Sequence, residues 1–414
     1  MLKVFVFADF HWLPDIDFVG TLCYERLRGS DSYSFEFDKK WLQNKTSIQL
    51  SPDLINYSGL QYTQPGKEIF SAFSDALPDR WGRTLINKRE LIAAKDEKRP
   101  VKRLTSFDYL TSIDDFSRIG GFRFKWDMNG VFINDFASLN IPPLTKLSEL
   151  VQVSYEIEKC DKENTLPEKK WIAQLLQPGS SLGGARPKAS VIDEKNNLYI
   201  AKFPSINDDH DVALWECLSS ILAQKSGINT AFGKTLKLDT KYHFYLTKRF
   251  DRTSNNKRIH FASALTLLGL EDGDNATTGK GYIDIVDFIL QNCTDVNSNL
   301  EELFRRVAFN ISIGNSDDHF RNHGFLLTQK GWTLSPAYDM NPTLNNHQSL
   351  LINANTNEAN LDILLDSCNE YFIKSEKAIQ IIQNVKDALK NWETIAQKLN
   401  IPKHEINYFK QKLG

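Results

Sequence analysis

A chain of 414 residues, 41% hydrophobic and 25% charged, has the composition of a globular protein and length enough for two or three cores. Its formal net charge of −2 excludes a global electrostatic drive toward nucleic acid or anionic lipid, so such binding requires a local patch. Cysteines at 23, 160, 217, 293 and 368, without a C-x-x-C pair, argue against a disulfide framework or a thiolate zinc site. The opening MLKVFVFADFHW lacks a signal-peptide pattern, and no stretch approaches the roughly 18 apolar residues of a membrane span. The expected compartment is a reducing cytoplasm, with no membrane partner.

Leu2–Phe7 and Tyr33–Phe37 read as strands, with a turn at Gly29-Ser30-Asp31. Asp79–Ala94 places Trp81, Leu85, Ile86, Leu91 and Ile92 at helical spacing. The basic run that follows (Lys95, Lys98, Arg99, Lys102, Arg103) is either a solvated helix end or a partner-facing patch. Leu144–Lys159 is an amphipathic helix. Short strands then follow at Ala189–Ile192, Leu198–Phe203, Thr235–Leu238 and Phe244–Thr247. They are interrupted by a helix, Val212–Ser226, that Gly227 closes. Beyond Arg258 the pattern is mainly helical: His260–Leu270, Ile283–Asn292, Leu300–Ile313 and Glu376–Leu399. A strand-rich half before a helical half predicts an α+β, two-lobed fold.

Five features occur in one order. Gly179-Ser180-Ser181-Leu182-Gly183-Gly184-Ala185-Arg186-Pro187-Lys188 pairs glycines that let a backbone approach phosphate, although such loops are also ordinary turns. Lys202 lies in an apolar strand and needs an anion, unless it is an edge lysine facing water. Glu216 lies in an apolar helix, where pairing with Lys202 resolves both burials; a surface glutamate is the alternative. Asp317 precedes Asn322 by five positions, the separation of base and metal-binding amide in the kinase loop H-R-D-x-x-x-x-N. Asp339, 22 positions beyond Asp317, suits the second metal-binding carboxylate, as in D-F-G. His319 is expected to orient Asp317 by a hydrogen bond, and His323 to be structural. A two-metal phosphoesterase built from Asp317, Asp318, His319, His323 and Asp339 competes, but leaves the glycine loop and Lys202 idle.

These residues resemble the HipA family of bacterial serine/threonine kinases, toxins of HipBA-type toxin–antitoxin modules. The resemblance is carried by Ser181–Lys188, Ala201–Pro204, Lys248–Arg252, Ser316–Asn322 and Pro336–Asp339, with Phe73–Gly82 similar to the family's N-terminal motif. It implies a bilobal, protein-kinase-like fold with an extra N-terminal subdomain (1–125), a kinase N-lobe with the glycine loop (126–255) and a helical C-lobe with the catalytic loop (256–414). It implies ATP and Mg²⁺ as cofactors. Ser181, Gly183, Gly184, Ala185, Lys188, Lys202, Glu216, Lys248, Arg249 and Phe250 are then the ATP site. Asp317 is the base, with His319 beside it, and Asn322 and Asp339 are the Mg²⁺ ligands. Ser181, with Ser180 second, is the expected autophosphorylated serine of the glycine loop. The family implies a protein substrate of the aminoacyl-tRNA synthetase class and a helix-turn-helix antitoxin through which DNA is reached indirectly. A catalytically weak kinase-like repressor subunit and a small-molecule kinase remain the alternatives.

Overall fold

The computed structural model describes residues 1–27, 29–45, 48–135, 141–176, 184, 186–343 and 345–413. Ser180, Ser181, Gly183 and Ala185 lie outside the described residues. The chain divides into two compact units: Met1–Asn207 with Asp251–Ala262, and Asp208–Phe250 with Ser263–Gly414.

The first unit is built on an antiparallel sheet of β1 (Leu2–Ala8), β2 (Asp17–Leu27), β3 (Ser30–Phe37), β4 (Leu60–Tyr62) and β5 (Phe122–Lys125), in the order β4-β3-β2-β1-β5. Alternation decides its faces: Val4, Val6 and Ala8 are wholly buried, while Phe5 between them is half-buried and Lys3 before them is exposed. Gly20 of β2 is required by closeness, since a Cβ there would lie 2.2 Å from the Glu36 carbonyl oxygen. Phe73 packs across the buried face at 5.5 Å from the rings of both Phe35 and Phe122. Four helices complete this part: α1 (Lys39–Lys45), α2 (Arg80–Asp96), α3 (Ser106–Leu110) and α4 (Leu147–Lys162), followed by α5 (Lys169–Leu176) and a hairpin of β6 (Lys188–Ile192) and β7 (Leu198–Lys202). Three residues of the basic run are paired within this unit. Arg99 binds Glu90 and Glu97, Lys102 binds Asp108, and Arg103 reaches Asp31.

The segment Asp251–Ala262 joins the first unit through buried polar contacts. Asp251 accepts from the Gly120 amide at 3.0 Å, and Arg252 donates to the Phe116 and Arg118 carbonyls at 3.0 and 2.7 Å. His260 accepts from the Gly121 amide at 3.3 Å and stacks on Phe10 at 4.8 Å. Burial drives its pKa down to about 3, so the ring stays neutral.

In the second unit α6 (Val212–Lys225) starts at Asp211, whose carboxylate accepts from the Leu214 amide, and ends before Gly227 at φ +83°. A hairpin of β8 (Gly233–Leu236) and β9 (Phe244–Lys248) follows. Where the sequence predicted a helix over His260–Leu270, there is instead a strand, β10 (Phe261–Ser263), and a single turn, α7 (Ala264–Leu267). His260 packs on Phe10 and Phe122, and the Ser263 side chain accepts from the Thr266 amide, capping a helix that begins only at Ala264. Then come α8 (Tyr282–Asn292), α9 (Val296–Ile313), the hairpin β11 (Gly324–Thr328) with β12 (Gly331–Leu334), and α10 (Leu361–Asp366). The predicted helix Glu376–Leu399 is two helices, α11 (Ser375–Leu389) and α12 (Trp392–Lys398), before a terminal α13 (Lys403–Leu413). No described helix is long and apolar enough to cross a membrane.

Candidate active site

The loop that carries the candidate site residues begins where α9 ends. Gly314, at φ +72°, closes the helix in a left-handed turn that a β-carbon would strain. Its carbonyl accepts from the Thr343 amide at 2.7 Å and the Thr343 hydroxyl at 2.8 Å. Two residues on, the Ser316 carbonyl accepts from the Ser349 amide at 3.0 Å and the Ser349 hydroxyl at 2.8 Å. The loop is therefore tied down before it reaches the two aspartates.

Those aspartates have opposite environments. Asp317 is exposed, and no donor among the described residues meets its carboxylate. Asp318 is 3% exposed, and its Oδ2 accepts from the Tyr282 hydroxyl (2.7 Å), the Asn310 side-chain amide (2.7 Å) and His323 Nε2 (2.8 Å). Burial pushes the Asp318 carboxyl up, but the charge and hydrogen bond of His323 and the Tyr282 hydroxyl outweigh it and hold the group below the usual carboxylate range. The same burial, with the Asp318 charge, raises Tyr282 well above its ordinary value.

Between these residues the chain makes a single 3₁₀ turn, Phe320–Asn322. The Asn322 side-chain NH₂ donates to the Asp317 carbonyl at 3.2 Å, which commits the nitrogen and leaves the amide oxygen as a ligand atom. His319 does not orient Asp317: its Nδ1 is buried without a hydrogen-bond partner among the described residues. The buried histidine contact belongs to His323 and goes to the neighbouring Asp318, because the 3₁₀ turn brings position 323 back to the base of the loop.

The segment bearing Asp339 is fastened to the same loop. The Tyr338 hydroxyl donates to the Arg321 carbonyl at 2.6 Å, and Ala337 exchanges backbone bonds with Asn229 and Ala231 at 2.8 and 2.9 Å. Asp339 is half-buried in the left-handed conformation, φ +59°, with the Asn341 side chain at 3.5 Å. Strain of this kind in a non-glycine residue clusters at functional sites. Phe250 packs on Tyr338 at 5.5 Å; Arg249 beside it is buried, and the Lys248 amide donates to the Phe232 carbonyl at 2.8 Å. Glu216 is buried at 5% exposure within α6.

In the first unit Lys202 ends β7 half-buried, in register with Lys188 of β6. Lys188 is buried in an ion pair. Its ammonium is 2.8 Å from Asp79 Oδ2 and donates to the Gly184 carbonyl at 3.2 Å, with both charged side chains at most 5% exposed. Gly184, at φ +79°, is exposed. The residues that sequence reasoning missed are Asp79, Asn310, Tyr282 and Thr343, each joined to the motifs only through the fold. Asp318 alone carried a local signal, five positions before His323.

A family model for the HipA-like C-terminal domain matches residues 180–392, and one for the HipA N-terminal domain matches residues 12–107. A putative kinase of Haemophilus influenzae is 25% identical over 39% of this chain and 52% of its own. The serine/threonine-protein kinase toxin HipA of Shewanella oneidensis is 22% identical over 44% of this chain and 47% of its own. The chain thus spans about half the length of the curated relatives it matches. A solved structure of the Shewanella oneidensis MR-1 toxin–antitoxin system HipA, in complex with HipB and operator DNA, superposes over 96% of this chain and 94% of that chain. That superposition has a TM-score of 0.67 at 17% identity, which establishes a shared fold. The α+β, kinase-like fold class read from the sequence holds. Because the C-terminal family model alone accounts for just over half of the 414 residues, the chain belongs to the HipA family.

Proposed function

We propose that this protein transfers the γ-phosphoryl group of ATP to a serine or threonine hydroxyl on a protein. The observation that carries the reading is the loop after α9, which exposes the Asp317 carboxylate while turning the Asn322 amide nitrogen back onto the Asp317 carbonyl. An amide oxygen at Asn322 and a carboxylate at Asp339 are hard oxygen donors, the set that suits Mg²⁺. When bound, the metal neutralises charge on the nucleotide phosphates. Asp317 takes the proton of the acceptor hydroxyl as its oxygen bonds to the γ-phosphorus and the bond to the bridging β-phosphate oxygen breaks, releasing ADP. Lys202, with Glu216, is assigned to the phosphates, the glycine loop around Gly184 to their backbone contacts, and Lys248–Phe250 to the adenine. The division into an N-terminal subdomain (1–125), an N-lobe (126–255) and a C-lobe (256–414) belongs to the same proposal.

A two-metal phosphoesterase is disfavoured by the commitment of Asp318 Oδ2 and His323 Nε2 to each other. Regulation by phosphorylation of Ser181 or Ser180, a synthetase-class target, a cytoplasmic location and an antitoxin that brings the protein to DNA follow from the family. The antitoxin is supported by the HipB and operator DNA bound to the HipA of the solved relative. Incubation with γ-labelled ATP and Mg²⁺ tests the reading. Label on the protein itself or on a protein acceptor is expected. Label only on a metabolite identifies a small-molecule kinase, and none anywhere identifies a kinase-shaped binding subunit.

A further inference from the structure

Asp318 and His323 are five positions apart, the separation of Asp317 and Asn322 displaced by one residue. The outer pair carries the proposed chemistry and the inner pair is buried. Both members of the inner pair meet at Asp318 Oδ2, together with Tyr282 from the first position of α8 and Asn310 from the last turn of α9. Asn310 is itself held by the Asn315 amide at 3.1 Å, and the His323 carbonyl accepts from the Ala264 amide at 2.7 Å, where α7 begins. Three helices are thereby tied to one carboxylate oxygen.

We propose that Asp318, with His323, Tyr282 and Asn310, is a positioning cluster that fixes the direction of the Asp317 carboxylate and the Asn322 amide. The proposal rests on the kinase reading of those two residues. Successive side chains of an extended segment point to opposite sides. Holding Ser316 and Asp318 inward therefore turns Asp317 outward, and Ser316 is itself pinned by its carbonyl bonds to Ser349. Holding His323 inward sets the last residue of the 3₁₀ turn, Asn322, whose amide then reaches the Asp317 carbonyl. An apolar plug would fix the depth of the loop but not its rotation. Three bonds on one ionised oxygen fix both, because charge-assisted hydrogen bonds are stronger and more directional than contact packing. The plain alternative, a polar core group that is merely satisfied, predicts loss of stability without a selective loss of turnover.

The test compares Asp318→Ala, Asp318→Asn and Tyr282→Phe in the full chain. Asn keeps an oxygen acceptor at the same length, and Phe removes one donor while keeping the ring. Three quantities are read: kcat and KM for phosphoryl transfer, ADP affinity, and hydrogen exchange of the amides from Asp317 to His323. In Asp318→Ala, kcat should fall about 100-fold, the scale expected of a misplacement near 1 Å. ADP affinity measured without Mg²⁺ should change by less than about threefold, since the cluster serves the base and the metal-binding amide rather than the nucleotide itself. Exchange across the loop should rise, and Asp318→Asn should recover most of both effects. Wild-type turnover in a folded Asp318→Ala protein overturns the proposal, as does unchanged exchange. If Asp318→Ala fails to fold, Tyr282→Phe decides: a fall of about tenfold in kcat at constant KM supports the cluster, and unaltered kinetics overturn it. Should the wild-type protein transfer no phosphate at all, the kinase reading falls while the exchange comparison still decides the cluster.

Discussion

The buried ion pair of Lys188 and Asp79 offers a sharp test of how the glycine-loop end of β6 is held. Asp79 has two tasks: Oδ1 accepts from the Gly82 amide at 2.7 Å, capping α2, and Oδ2 meets the Lys188 ammonium at 2.8 Å. At 4% and 5% exposure neither charge retains much hydration, so breaking the pair by removing one member should cost about 3–5 kcal/mol. Lys188→Met, which keeps most of the stem, and Asp79→Asn, which keeps an acceptor for the cap, should each lose an amount in that range. Asp79→Ala should lose about 1 kcal/mol more, because the cap goes too. In the Lys188→Met/Asp79→Asn double variant the pair is removed as a unit, so its loss should fall short of the summed singles by about 3 kcal/mol. Urea unfolding of the full chain gives the energies from midpoint and slope. Hydrogen exchange at the Gly82 amide separates the cap, remaining slow in Asp79→Asn and becoming fast in Asp79→Ala. Additivity of the two single losses to within about 0.5 kcal/mol would refute the argument, since it would mean the two groups do not sense one another.

Asp317→Asn should lower phosphoryl transfer by about 10²–10⁴-fold and leave ADP binding nearly intact, measured by labelled transfer beside calorimetry. Asp339→Asn should instead raise the Mg²⁺ concentration needed for nucleotide binding, and an unaltered metal dependence would remove it from the ligand set. His260 is neutral when folded, with its pKa down at about 3, and takes a proton near 6.5 when unfolded, so the unfolded state binds more protons between those values. Stability is therefore complete above pH 6.5 and drains as pH falls toward 3, by about 1.4 kcal/mol per pH unit. His260→Gln should flatten that slope in urea midpoints taken across the window. Trp215 Nε1 donates to the buried Glu405 at 2.8 Å and its ring packs on Phe409 at 4.1 Å, fastening α13 to the helix that carries Glu216. Trp215→Phe should cost about 1–3 kcal/mol in thermal unfolding by leaving that carboxylate unpaired, and a neutral result would exclude the bond.

Local pattern carried the parts of the fold in which one stretch of chain settles its own state. Leu2–Phe7 is apolar and β-branched, and it is β1; Val212–Ser226 has a stop at Gly227, and it is α6 within a residue. The failures lie where a distant group overrides the pattern. His260–Leu270 has helical spacing, yet His260 is wanted against Phe10 and Phe122 in the first unit, and Ser263 starts the helix afresh. Glu376–Leu399 keeps its period through Lys390 and Asn391, but the helix ends at Leu389 and a new one begins at Trp392, which packs at 6.2 Å from Trp215.

The site divides along the same line. Spacing alone singled out Asp317, Asn322 and Asp339, because metal and base chemistry need oxygen donors at set intervals and a sequence displays intervals. What spacing cannot separate is Asp317 from Asp318, adjacent and identical in kind. Only burial distinguishes them, and burial is decided by Tyr282 and Asn310, 36 and 8 residues away. The distinction has a physical consequence for how such loops are built. An exposed carboxylate needs a rigid backbone, and a short irregular loop cannot draw rigidity from helix or sheet bonds. It draws it from the neighbouring residue, which turns to the opposite side and can be anchored at full strength inside the protein. On the proposed roles, the residue that does the chemistry and the residue that holds it are consecutive. In this chain the anchor is also an aspartate, so exchanging Asp317 and Asp318 in thought leaves the sequence unchanged while reversing the role of each.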